Sequence, residues 1–171
     1  MSWDQLDAAL KSAHLRAVAR HWHEARANAP LPSWTDLRPA RMAKDLPFLW
    51  VYGYDRTSDT FIGRLAGSRV EAVFNRGFRG TAMEDLYPEP DYVRLFHCAK
   101  RVLDHGEGYR GEGRIYARDY HFVFGERLIL PLAADSKFAG SILGCSDTSA
   151  VDAPEEPEVK NLDAWFSLTS A

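Results

Sequence analysis

Phe48-Leu49-Trp50-Val51-Tyr52-Gly53-Tyr54, then Asp55-Arg56-Thr57-Ser58-Asp59, then Thr60-Phe61-Ile62-Gly63-Arg64-Leu65-Ala66 is the stretch whose reading decides the fold. Two runs rich in aromatic and β-branched residues flank a cluster of turn formers, so the segment reads as a β-hairpin. The patterning then changes abruptly. Ser68-Arg69-Val70-Glu71 and Thr81-Ala82-Met83-Glu84 each carry the Ser/Thr-x-x-Glu signature of a helix N-terminus. Pro88-Glu89-Pro90-Asp91 opens a longer helix that runs to Asp104. Tyr92, Leu95, Phe96, Ala99, Val102 and Leu103 form its buried stripe, and Gly106 stops it.

More strands follow. Tyr109 to Ala117 alternates, with Arg110, Glu112, Arg114 and Tyr116 on one side and Gly111, Gly113 and Ile115 on the other, the pattern of a half-wet edge strand. His121 to Leu132 comes next, and Gly125 within it suggests a bulge. Ala134 to Lys137 makes a turn before a last strand from Phe138 to Cys145. Gly140, Ser141, Gly144 and Cys145 are small for a central strand, which signals close packing or room for a ligand. The order predicts an α+β fold: a five-stranded antiparallel sheet, helices on one face and a long N-terminal helix on the other. A pocket is expected between the sheet and the helix 91–104. Its expected walls are Trp50, Tyr52, Phe74, Phe96, Ile115 and Phe122, with Gly140 beside them.

Toward the N-terminus, Ser2 suits an N-cap and neither glycine nor proline occurs before Pro30, so one helix is expected from about Trp3 to Asn28. Trp3, Leu6, Leu10, Ala13 and Ala17 step along one side of it. Leu15, Val18, Trp22 and Ala25 step along roughly the opposite side. The later stripe is expected to cover the sheet and the earlier one a second copy of the chain, making a homodimer. The expected organisation is residues 1–30 as a dimerising amphipathic helix, 31–149 as the domain proper, and 150–171 as an acidic linker with a short C-terminal helix.

The 171 residues suit one domain with an extension, and 46% hydrophobic content supports a sizeable core. A formal charge of −3 gives no bias toward polyanions, although basic residues gather between Arg38 and Arg79 and acidic ones after Asp147. No clustered basic recognition helix is evident, so no nucleic-acid partner is expected. Cys98 and Cys145 lie far apart with neither metal nor redox spacing, and no apolar run approaches the ~20 residues of a membrane span. A cytoplasmic location is expected.

Leu46-Pro47, Phe61-x-x-Arg64-Leu65-x-Gly67, Gly80, Leu86 and Leu128-Ile129-Leu130-Pro131-Leu132-Ala133 together resemble the single-domain PAS proteins of alphaproteobacteria. His21-Trp22 followed by Leu31-Pro32 looks like that family's opening segment. The resemblance covers about Leu15 to Cys145. It implies a sensory or regulatory module that binds a small molecule, a protein partner in a signalling pathway, or both, and signals through its helical extensions.

The residues offer little chemistry beyond binding. His97 points away from the apolar stripe of its helix, which argues against an axial haem ligand. Cys98 lacks the Asn-Cys-Arg-Phe setting of a flavin-binding photosensor. His21 and His23 diverge by about 200° on a helix and make no chelate. Asp119 and His121 share one strand face and form the best acid–base grouping, a dyad that in a cone-fold enzyme would run dehydration or isomerisation. Those enzymes place their helices before most of the sheet, whereas here the helices fall between the second and third strands. The chain is not expected to be an enzyme, and no metal site is expected.

Overall fold

The structure, a computed structural model, describes residues 3–74, 76–118, 121–149 and 161–168, and of residues 117, 118, 121 and 122 only the backbone. Two helices, α1 (Trp3–Ala9) and α2 (Ala13–Arg26), precede two short 3-10 turns at Pro39–Met42 and Leu46–Phe48. The hairpin expected from the aromatic runs forms as β1 (Leu49–Asp55) and β2 (Thr60–Ala66), which pair antiparallel. Helices α3 (Ser68–Glu71), α4 (Met83–Leu86) and α5 (Glu89–His105) follow. Then come β3 (Glu107–Arg118), β4 (His121–Leu132), β5 (Ser141–Asp147) and β6 (Leu162–Ser167). The capping signatures mark the right places but each misses by one residue, Ser68 late and Thr81 early, since the N-caps are Gly67 and Ala82 and neither caps through a side chain.

The sheet has six strands, not five, in the order β2-β1-β5-β4-β3-β6. The sixth lies in the tail expected to be a short helix. Leu162, Trp165 and Phe166 mimic helical spacing, but β3 offers an unpaired edge, and Glu107↔Ser167 through Glu112↔Leu162 pair along it. The β3 strand is therefore interior, and Arg110, expected on a half-wet edge, is buried. The bulge lies in β3 rather than at Gly125: register shifts between Arg114 and Tyr116, while Gly113 and Gly125 pair regularly.

Core forms on both faces of the sheet. Under α2, Leu15, Val18 and Trp22 pack on Leu49, Val51, Leu128, Leu130 and Leu143. Trp22 also donates its indole N–H to the Pro131 carbonyl at 2.9 Å. Under α5, Leu95, Ala99 and Val102 pack with Tyr52, Phe61, Met83 and Ile129. Burial of side chains this size stabilises by about 1.5–3 kcal/mol each before chain entropy is counted.

The expected continuous N-terminal helix is broken at Leu10–Ser12 by distant groups. The Glu126 carboxylate accepts the Ser12 amide at 2.8 Å and the Lys11 amide at 3.0 Å. Ser12 N-caps α2, its hydroxyl accepting from the His14 and Leu15 amides while donating to Asp147 at 2.7 Å. Glu126 and Asp147 face each other across β4 and β5, so two sheet carboxylates seize the amides that a longer helix would have used internally. Because of that break, Leu6 and Leu10 turn into the chain's own core beside Phe166 and Leu168. The stripe expected to meet a second copy is thus divided: Leu6 (0% exposed) and Leu10 (1%) are interior, Trp3 packs partly buried, and Ala13 and Ala17 are exposed.

Candidate ligand site between the long helix and the sheet

Glu126 and Arg127 are consecutive on a central strand, so their side chains leave opposite faces of the sheet. Glu126 faces the N-terminal helices and is neutralised there by Arg110, whose Nε donates at 2.7 Å. Arg127 faces α5. It is 4% exposed, and its hydrogen bonds run to neutral acceptors: Nε to Ser146 Oγ at 3.2 Å and Nη2 to the Ile115 carbonyl at 2.6 Å. The β3 bulge presents that carbonyl, as bulges do where a strand must re-aim its groups.

Aromatic rings complete the cradle. The guanidinium carbon lies 4.7 Å from the Tyr116 ring centroid and 5.6 Å from that of Trp50. Trp50 is held by its own indole N–H, which donates to Ser146 Oγ at 2.9 Å. Around this cation stand the phenols of Tyr52, Tyr87 and Tyr116. Burial first, and then their mutual proximity, pushes the Tyr52 and Tyr87 hydroxyls above the ordinary phenol range. The Tyr52 and Tyr116 hydroxyls are buried, the first interacting with the Tyr87 hydroxyl and the second with the Arg127 guanidinium, though neither contact has full hydrogen-bond geometry. The group is rich in donors and poor in acceptors.

Tyr87, Asp91, Arg94, Leu95, Cys98, Tyr109, Ile115 and Arg127 bound a void of about 10 Å³, and a second of about 10 Å³ shares four of these walls and extends to Glu112, Asn161 and Asp163. Each has room for one water-sized sphere. Arg94 donates to the Arg114 carbonyl at 3.0 Å, and Arg114 pairs with Asp91 at 2.8 Å. The Tyr109 hydroxyl donates to Asp163 at 2.6 Å. Burial pushes the Cys98 thiol up, so it is a poor nucleophile.

Five of the expected pocket walls, Trp50, Tyr52, Phe74, Phe96 and Ile115, do gather in the core under α5. They fill it with rings rather than line an open cavity: Phe74 meets Phe78, Tyr87 and Tyr116, and Phe96 meets Phe61 and Tyr92. Gly140 does not belong with them. A Cβ there would sit 3.3 Å from Leu103, at the far end of α5. Gly144 serves close packing, since its absent Cβ would lie 1.9 Å from the Trp50 ring. The Phe122 and His121 side chains, and Asp119 altogether, lie outside the described residues. Arg127 escaped sequence reading, although a charge inside the run Glu126-Arg127-Leu128-Ile129-Leu130 was its signal.

A more open cleft of about 410 Å³ lies by β1 and β2, edged by Trp34, Arg64, Arg79, Lys137 and Phe138. Arg64 is satisfied there by Asp135 and Ser141. His97 is exposed, and His21 bonds the Leu37 carbonyl. Among the described residues no three His, Cys, Asp or Glu side chains converge as metal ligands, and no helix is long and apolar enough to cross a membrane.

The architecture is thus an antiparallel sheet with helices on both faces and a polar cluster under the longest helix. The PAS domain family matches residues 10–147, and the chain belongs to it. A solved structure, the PAS domain of a protein from Colwellia psychrerythraea, is similar at 16% identity and a TM-score of 0.43, covering 63% of this chain and 93% of that one. No curated protein matches. PAS domains are typically sensory or regulatory modules without catalytic activity and commonly mediate protein interactions, so membership does not favour the dehydratase or isomerase reading of Asp119 and His121.

Proposed function

We propose that this chain is a sensory or regulatory module that takes a small ligand, a protein partner or both, with the ligand site beneath α5 and the response carried by the N-terminal helices. The observation that carries the reading is the adjacency of Arg127 and Glu126. Arg127 borders the voids on the α5 side, while Glu126 holds the Lys11 and Ser12 amides on the other side. An occupant that draws Arg127 shifts the same backbone that positions Glu126. Occupancy is thereby coupled to the joint between α1 and α2 without any contact between ligand and helix. The unpaired cysteines Cys98 and Cys145 fit a reducing cytoplasm. Self-association through Leu6 and Leu10 is not part of this reading, because both are buried.

Native mass spectrometry of the purified protein, followed by hydrogen exchange with and without any co-purified molecule, tests it. A bound molecule whose removal speeds amide exchange at residues 10–15 is the expected result. Exchange there that is indifferent to occupancy would overturn the coupling.

A further inference from the structure

We propose that the open cleft on the α2 side of the β1–β2 hairpin is a second binding site, separate from the one beneath α5, and that it takes a small organic anion: a flat apolar body carrying a carboxylate or a phosphate.

Specific contacts build the cleft. Val51 and Leu65 belong to the core under α2, but that helix packs chiefly over β4 and β5, so part of the hairpin face stays open. Trp34, from the loop after α2, and Phe138, from the turn before β5, form walls. Gly53 lets the Phe138 ring lie against β1, since a Cβ there would come within 2.4 Å of it. The Phe138 amide donates to Asp135 at 2.9 Å and fixes the ring's position. Arg64 is the extra residue of a bulge: Leu65 pairs with Val51 and Gly63 with Tyr52, so nothing faces Arg64 across the ladder. Bulges re-aim side chains beside functional sites. Here the guanidinium is turned over the Phe138 ring, 5.1 Å from its centroid, and donates to Ser141 Oγ at 2.9 Å.

The lining sets the ligand's chemistry. Trp34, Ile62 and Leu65 are half-buried, so the cleft keeps apolar surface in contact with solvent. Arg64, Arg79 and Lys137 line it and, among the described residues, no carboxylate does. Asp135, which is not part of the lining, offsets Arg64 at 2.7 Å. Arg79 and Lys137 are exposed and have no ion pair among the described residues, so their positive charges remain uncompensated at the cleft. A positive, acid-free lining favours an anion, and the apolar surface favours one with a hydrophobic body. At about 410 Å³ the cleft is of small-molecule size, well beyond that of an inorganic ion.

The test follows amide shifts of the isotope-labelled full chain by nuclear magnetic resonance at constant ionic strength. The probes are 2-naphthoate and 2-naphthyl phosphate, with 2-naphthol, acetate and inorganic phosphate as references. At least one naphthyl anion is expected to bind with a Kd of about 1 mM or tighter and to shift the amides of residues 62–65, 79–80 and 137–138. Naphthoate alone would select the carboxylate and the phosphate ester alone the phosphate; either result supports the proposal, as does binding of both. Arg79→Glu with Lys137→Glu is expected to weaken that binding about tenfold or more while keeping Tm within about 3 °C, since both side chains are exposed. Lys44→Glu with Arg56→Glu changes the net charge equally at exposed positions outside the lining and should leave the affinity within about twofold. Shifts absent from those amides, or confined to α5 and the strands beneath it, would overturn the proposal. So would equal binding of 2-naphthol, acetate or inorganic phosphate, or an equal loss in the two double variants.

Discussion

Gly144→Ala offers the sharpest test of how the site is built. The new methyl carbon would lie 1.9–2.3 Å from three atoms of the Trp50 ring, so the ring must move. Trp50 is 1% exposed, meets Tyr52 edge-on at 5.6 Å and bonds Ser146, so it has no free direction of retreat. Overpacking of a dense core costs about 1–3 kcal/mol, and losing the indole hydrogen bond adds about 0.5–1.5 kcal/mol. The smaller chain freedom of unfolded alanine offsets about 0.4–1 kcal/mol. The net destabilisation is about 1–4 kcal/mol, which for a chain of this length lowers Tm by about 3–12 °C. Gly140→Ala is the control. Its methyl would meet the mobile end of Leu103 at 3.3 Å, and the expected change is within about 2 °C. Thermal unfolding followed by circular dichroism, with near-ultraviolet spectra to report the Trp50 environment, measures both. A Gly144→Ala loss no larger than that of Gly140→Ala would refute the packing argument.

Glu126→Gln keeps shape but removes the charge between Arg110 and the Lys11 and Ser12 amides; a loss of about 3 kcal/mol is expected in urea denaturation, with faster amide exchange at residues 11–15. Leu6→Asp with Leu10→Asp should detach α1 and destabilise the chain rather than release a folded monomer, since Leu10→Ala alone is expected to cost about 2–5 kcal/mol; light scattering and melting curves together separate the two outcomes. Acid should loosen the same joint. Burial pushes the Asp147 and Glu112 carboxyls up, but hydrogen bonds from Ser149 and Ser12 to the first, and from Lys11 and Arg110 to the second, hold both below their ordinary values of 3.8 and 4.5. Lowered carboxyls stabilise fully above those ordinary values and lose the contribution as pH falls through the folded-state ones, so Tm should drop as pH falls below about 4.5, and less steeply in Ser12→Ala, which also loses about 0.5–2 kcal/mol at neutral pH.

What the sequence made legible was set by local chemistry. The hairpin, the stripe of α5 and the order of strands and helices all follow from periodicity and turn residues within a few positions of one another. The break at Leu10–Ser12 did not, because its cause lies more than a hundred residues away in Glu126 and Asp147; only Ser12, a good cap inside an apparent helix, hinted at it. The last strand was misread because Leu162, Trp165 and Phe166 fit a helix as well as a strand, and an unpaired edge on β3 decided between them. The aromatic walls of the site were visible as residue types, but whether rings line a cavity or fill it depends on packing. Arg127 shows the remaining limit: its setting among Ser146, the Ile115 carbonyl and the Tyr116 ring exists only once the strands are paired, which no spacing rule reveals.

The pairing of Leu6 and Leu10 with Phe166 and Leu168 has a consequence for the chain as it is made. Synthesis proceeds at about 5–20 residues per second, so these two leucines wait roughly 8–30 s before the segment that covers them is translated. Over the same interval β1 waits for β5 and the edge of β3 for β6, since their partners lie far along the sequence. The nascent chain therefore displays an oily helix and an open strand edge until residues 162–168 emerge. Such a chain is an expected client of ribosome-associated chaperones, and truncation before residue 162 should yield aggregate rather than a smaller folded domain.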